Sequence, residues 1–296
     1  MPTFKDSKSS WLVKAYNNYE FLNSPPARII RILAEMVEPA TRLRKHNIWN
    51  TVVFFGSART LPQEVALQRL KKIERKMKKG KSLPVKVRSL YAQALRDLKM
   101  SRYYEDAAQL SYKLTRWFMD PPNQRLNFIV CSGGGPGIME AANRGAKKAR
   151  GRSMGLNIAL PLEQTPNRYQ TKEISFEFHY FFIRKFWFFY LAKALVIFPG
   201  GFGTLDEFFE LLTIIQTEKS SKYMPVILYG KEYWNELINF NAFVKWGTVS
   251  SEDLKLFTIL DDVDSAFEYL KRELTKHHFR KTSGEQKKIV PKFPMA

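Results

Sequence analysis

Cysteine is nearly absent from this chain. Its 296 residues include one, Cys131, so no disulfide can form within it and the fold has to be held by an apolar core. Cys131 ends the apolar run Asn127-Phe128-Ile129-Val130-Cys131 and reads as a small buried strand residue rather than a reactive thiol. Histidine is scarce as well: the four present, with His277 and His278 adjacent near the end, form no ligand set with sensible spacing, and no metal or other cofactor is expected. No apolar run is long enough to cross a bilayer, and Met1-Pro2-Thr3-Phe4-Lys5 lacks the apolar stretch of a secretion signal. A cytoplasmic protein with no membrane partner is expected.

Acidic residues are the remaining shortage: 28 Asp and Glu face 48 Lys and Arg, a net charge of +20. The excess is local. Residues 61–100 and 271–296 carry 15 of those 20 charges, so the rest of the chain is close to ordinary in charge. Solvated helix faces and a disordered tail account for most of this, while Arg69 to Lys81 is the stretch through which a nucleic acid or other polyanion would be attracted. Hydrophobic residues at 45% and aromatics at 14% supply a core large enough for one α/β domain with appendages.

The most informative stretch is Pro199-Gly200-Gly201-Phe202-Gly203-Thr204-Leu205-Asp206-Glu207. It follows the buried-strand pattern Ala194 to Phe198 and runs into the helical pattern Phe208 to Ile215. A strand that ends in a glycine-rich turn and restarts as a helix aims free N–H groups and a positive dipole end at one point, which is an anion site. A second such unit is Ser132-Gly133-Gly134-Gly135-Pro136-Gly137, between the strand pattern 127–131 and the helical pattern 137–149. Neither loop has the Gly-Lys-Ser/Thr ending of an ATPase loop or the G-x-G-x-x-G spacing of a dinucleotide site.

The order of elements predicts a Rossmann-like, doubly wound and mostly parallel sheet with helices on both faces and a nucleotide or sugar phosphate at its carboxyl edge. Strands are expected at 51–55, 127–131, 153–158, 194–198 and 225–229, with a short one near Ile259, and helices at 103–118, 137–149, 180–193, 203–217, 232–244 and 262–274. Two amphipathic helices, Trp11 to Leu22 and Ala27 to Lys45, precede the fold. The expected organisation is an N-terminal helical extension over 1–50, a catalytic domain over 51–275 and a basic, disordered tail over 276–296. Residues 61–100 are expected to be an inserted pair of basic helices broken at Gly80 to Pro84.

P-G-G-x-G-T-x-x-E, preceded by Arg184-Lys185 and by S-G-G-G-P-G-I-M-E-A-A-N-R-G-A, resembles the Lonely Guy family of nucleoside 5′-monophosphate phosphoribohydrolases, many of which carry the label lysine decarboxylase. Gly56-Ser57-Ala58-Arg59, Leu156 to Pro161 and Phe178 to Phe182 are similar to its longer bacterial branch. The resemblance implies hydrolysis of AMP or a cytokinin-like monophosphate to free base and ribose 5-phosphate, in a homodimer or higher homo-oligomer, with Arg184 and Glu207 as catalytic residues. It also implies substrate contacts at Lys185, Gly201, Phe202, Gly203, Thr204 and Thr213, with Ser57, Arg59, Gly134 and Gly135 lining the first two loops and Glu163 clamping ribose or base. A carboxylate at Glu207 suits N-glycosidic cleavage, because it can stabilise an oxocarbenium-like sugar and deprotonate water. The alternative reading of Glu207 is a first-turn acid that only complements the helix dipole. The alternative function is a non-catalytic nucleotide or cofactor carrier on the same scaffold.

Overall fold

The computed structural model describes residues 12–77, 85–160, 165–217 and 223–279. The strand patterns form β1 (Asn50–Phe55), β2 (Phe128–Ser132), β3 (Ser153–Ile158), β4 (Phe176–Phe178), β5 (Ala192–Ile197), β6 (Val226–Tyr229) and β7 (Thr258–Leu260). They make one sheet in the order β4-β3-β2-β1-β5-β6-β7, with every pairing parallel. Parallel strands are covered on both faces, which is why these segments read as unbroken apolar runs. Val53 and Phe55 enter one core; Val52 and Phe54, one residue out of step, enter the other.

The helices are α1 (Tyr19–Asn23), α2 (Arg28–Lys45), α3 (Gln63–Met77), α4 (Val85–Met119), α5 (Pro121–Gln124), α6 (Ile138–Lys148), α7 (Phe181–Leu191), α8 (Phe202–Gln216), α9 (Lys231–Leu237), α10 (Phe240–Lys245) and α11 (Val263–Leu274). Helices α2, α7, α8 and α9 pack their apolar sides on one face of the sheet, and α4, α6 and α11 on the other. The fold is therefore α/β and Rossmann-like, as the element order predicts. Among the described residues no helix is long and apolar enough to cross a membrane.

Several boundaries differ from the sequence expectation. The first N-terminal helix is reduced to a 3-10 turn, Ala15–Asn17, and the single turn of α1, capped by Asn18, whose side chain accepts from the Phe21 N–H. The second inserted helix and the first crossover helix are not separate. No glycine or proline interrupts residues 85–119, so α4 runs for 35 residues, about 52 Å, from the insertion into the core. The expected break at Gly80 to Pro84 lies outside the described residues. The helix expected at 232–244 is split at Asn239, whose side chain caps α10 by accepting from the Ala242 N–H. Of the tail expected to be disordered, residues 276–279 belong to a π-helical turn, Thr275–Phe279, and 280–296 lie outside the described residues. Phe279 stacks on Trp117 and Phe128 at 4.8 and 5.2 Å.

The chain leaves β1 towards β2 and returns from β4 to β5, on the other side of β1. Crossovers thus depart in opposite directions from the adjacent strands β1 and β5, and a crevice opens at their carboxyl ends. Doubly wound sheets bind ligands at this switch point.

Candidate active site

The ends of four strands, with side chains from α7, α8, α9 and neighbouring helices, line a cavity of about 670 Å³ at the switch point. Gly56 to Arg59 follow β1, Gly133 and Gly135 follow β2, Asn157 and Ile158 end β3, and Gly200 to Gly203 lead from β5 into α8. The loops are stitched together by backbone. Ser57 donates its N–H to Pro199 O at 3.0 Å, and Ile138 donates to Ser57 O at 3.0 Å.

The glycines of the two main loops serve different ends. Gly134 and Gly137 have φ of +74° and +71°, and a Cβ on either would lie 2.1–2.2 Å from Asn157 Oδ1 or Ser57 O. They are required by the protein's own packing. Nothing lies within 4 Å of a Cβ built on Gly201 or Gly203, so no neighbour within the protein requires glycine there. Both line the cavity, at the N-terminus of the 15-residue helix α8, where free N–H groups and the dipole favour an anion. Thr204 lines the same edge, nearly buried, and Phe202 stands 92% exposed at its rim.

Arg184 and Glu207 meet in this cavity from different helices. Arg184 lies one turn into α7, donates to Glu207 Oε1 at 3.4 Å, and has the Phe181 and Phe188 rings 5.2 and 5.6 Å from its guanidinium. The two side chains are only 14% and 7% exposed. Burial raises the Glu207 carboxyl to about 7, against the pull of Arg184 and Lys185. Burial likewise lowers Arg184, against the attraction of Glu207 and Asp206. Both groups shift towards their neutral forms, so desolvation outweighs the attraction within the pair. One long contact leaves most of the hydrogen-bonding capacity of both groups unused, and Arg184 Nε is buried with no partner among the described residues. Such a pair is suited to a polar ligand that completes it.

The other predicted residues divide. Ser57, Arg59, Gly135, Gly201, Phe202, Gly203 and Thr204 line the cavity. Gly134 lies just behind the wall, where its carbonyl accepts from Asn167 and Gln170. Lys185 does not line it and instead pairs with Asp206 and Glu210, both at 2.8 Å. Thr213 is exposed on α8 and donates to Phe209 O. Glu163 lies outside the described residues.

Sequence reasoning assigned no role to Tyr233, Asn157, Asn167 or Gln170. Tyr233 lines the cavity from α9 and donates to Gly200 O at 2.6 Å, pinning the glycine turn. Buried Asn167 and Asn143 tie the second loop to β3: Asn167 Nδ2 donates to Gly134 O and Gly135 O, and Asn143 Nδ2 to Ser153 Oγ. Asn157 was visible as a polar residue at the carboxyl end of an apolar strand; Tyr233 gave no local signal.

A comparison with curated proteins finds no match. Solved structures similar to this chain include TM1055, a structural-genomics target, at 18% identity and a TM-score of 0.44, covering 75% of this chain and 99% of that one. A molybdenum cofactor carrier protein from Chlamydomonas reinhardtii is 19% identical with a TM-score of 0.40, over 77% of this chain and 99% of that one. From the first turn of α6 through α8 to α11, residues 139–270 match the model of a protein family described as "Possible lysine decarboxylase", and it is to that family that this chain is similar.

Proposed function

We propose that this protein hydrolyses the N-glycosidic bond of a nucleoside 5′-monophosphate, releasing the free base and ribose 5-phosphate. The observation that carries the reading is the buried Arg184–Glu207 pair facing an open glycine cradle at a helix N-terminus. The 5′-phosphate binds the N–H groups of Gly201 to Gly203 and the Thr204 hydroxyl, which places the sugar towards Glu207; the Thr204 N–H is already given to Gly201 O at 3.0 Å. As the C1′–N bond breaks, its electron pair passes to the base, which takes up a proton. The Glu207 carboxylate stabilises the oxocarbenium-like sugar and accepts a proton from the water whose oxygen bonds to C1′. Arg184 neutralises charge on the phosphate or the departing base.

The family's description does not carry over to this site. Pyridoxal-dependent decarboxylation needs a lysine to hold the cofactor, and among the described residues no lysine lines the cavity. Lys185 is held by two carboxylates, and Lys193 lies at the start of β5, at the opposite end of that strand from the cavity.

The test is release of base from AMP, other monophosphates and isopentenyl-AMP by the purified chain. Glu207→Ala should abolish turnover with monophosphate binding largely intact, because it removes a group used in the transition state, whereas Thr204→Ala should mainly raise KM. With Glu207 acting as base and titrating near 7, kcat/KM should rise with pH through about 7, and Glu207→Gln should lose this limb. No base from any monophosphate defeats the proposal; tight binding without release makes the protein a carrier.

A further inference from the structure

Lys185 follows Arg184 in α7, and one helical residue turns it about 100° away from the cavity. Its ammonium sits 2.8 Å from Asp206 Oδ2 and 2.8 Å from Glu210 Oε2, with its side chain 18% exposed. Asp206 and Glu210 are four apart on α8, so they share one side of the helix and repel each other. They also flank Glu207, at one residue before and three after. Lys185 therefore ties α7 to α8 behind the cavity wall, at the level where Arg184 meets Glu207.

We propose that Lys185 is a positioning residue rather than a substrate ligand: by clamping Asp206 and Glu210 it holds α7 against α8 and shields Glu207 from two neighbouring carboxylates. This rests on the phosphoribohydrolase reading for its catalytic consequence, but not for its structural one. Among the described residues, the charged and titratable groups around Glu207 are Arg184 and Lys185 from α7, Asp206 and Glu210 from its own helix, Arg59 from the loop after β1 and Tyr233 from α9. Burial works against the Lys185 charge, yet its two carboxylate partners hold its ammonium above the usual lysine range, so the clamp is charged wherever the enzyme works. Its attraction lowers the Glu207 carboxyl while Glu210 and Asp206 raise it, so losing the lysine leaves two uncompensated negative charges beside Glu207.

The experiment reads Glu207 directly. In the full chain labelled with 13C at the glutamate carboxyl carbon, the Glu207 resonance is identified by its loss in Glu207→Gln. Lys185→Met should move its midpoint to higher pH by about half a pH unit or more. Lys185→Arg should keep the wild-type midpoint. The triple variant Lys185→Met, Asp206→Asn, Glu210→Gln, which removes both carboxylates with the lysine and so changes the charge in the opposite sense to Lys185→Met, should return the midpoint to that of wild type or slightly below. In AMP hydrolysis, Lys185→Met should keep KM but lose about half or more of kcat/KM at pH 7, with the deficit closing by pH 9. An unmoved midpoint in Lys185→Met overturns the proposal, as does a several-fold rise in KM at every pH, which would make the lysine a substrate ligand. Should Lys185→Met fail to fold, the triple variant decides: a midpoint well away from that of wild type and of Lys185→Arg counts against the clamp. Absence of hydrolysis in the wild type defeats the function proposed above, and the carboxyl titration still tests the clamp.

Discussion

Gly201 and Gly134 occupy the same kind of turn for opposite reasons. A Cβ at Gly134 meets Asn157 Oδ1 at 2.1 Å on a backbone with φ of +74°, whereas a Cβ at Gly201 meets nothing within 4 Å. Gly134→Ala should therefore destabilise the fold by about 2–4 kcal/mol, from overpacking and left-handed strain together. Gly201→Ala should leave stability within about 0.5 kcal/mol of wild type. Its KM for monophosphates should rise, because its methyl group occupies ligand space. Urea unfolding and AMP kinetics on the two variants check this, and equal destabilisation would remove the distinction. The same scale shows why the candidate site was only partly legible. Arg184 and Glu207 each sit beside a readable feature, an aromatic helix and a glycine turn, and the structure brings them together. Lys185 and Thr213 fail to reach the cavity because of helical phase: Thr213 is nine residues beyond Thr204, about 180° around α8.

Among the elements, α2 has a part that its sequence did not announce. Pro39 lies inside it and has no N–H, so the carbonyl of Glu35, four residues earlier, has no helical donor. The Trp187 indole of α7 donates to that carbonyl at 3.0 Å. The Glu35 carboxylate meanwhile accepts from the His179 and Tyr180 N–H groups, at 2.7 and 3.3 Å, where α7 begins. Helix α2 thus caps and anchors the helix that carries Arg184. Glu35→Ala should cost about 1–3 kcal/mol and reduce turnover through a looser Arg184, with partial recovery in Glu35→Gln. Denaturant unfolding and kcat measure both effects; full activity at reduced stability would separate the anchor from catalysis. Strand and helix alternation was readable because each parallel strand is apolar on both faces. The three residues of β4 were too few to show a period, and the continuity of α4 was hidden by its change of partner from α3 to the sheet.

At the scale of the whole molecule, one stretch of exposed apolar surface runs over neighbouring helices. Ile29, Ile30, Leu33 and Val37 repeat along the outer side of α2 and are about half exposed or more. Helix α2 packs beside α7, whose first residues Phe181 and Phe182 are 50% and 57% exposed. Phe202 and Phe209 add exposed rings on α8. Scattered apolar residues are normal on a protein surface, but a run of this kind over neighbouring helices marks a contact face. Because Phe181 and Phe202 also line the cavity, a second chain on this face would narrow the mouth of the site. The expectation is self-association at micromolar concentration, with light scattering giving twice the chain mass of 34.6 kDa or more. Leu33→Asp with Phe182→Asp should shift the protein towards monomer by placing like charges on the face, without touching a core residue. If association closes the mouth, AMP hydrolysis per chain should fall on dilution below the dissociation midpoint and stay low in the double variant. A monomeric wild type at these concentrations would contradict the assignment. A monomeric double variant with undiminished activity would uphold the contact face and show that each site is complete in one chain.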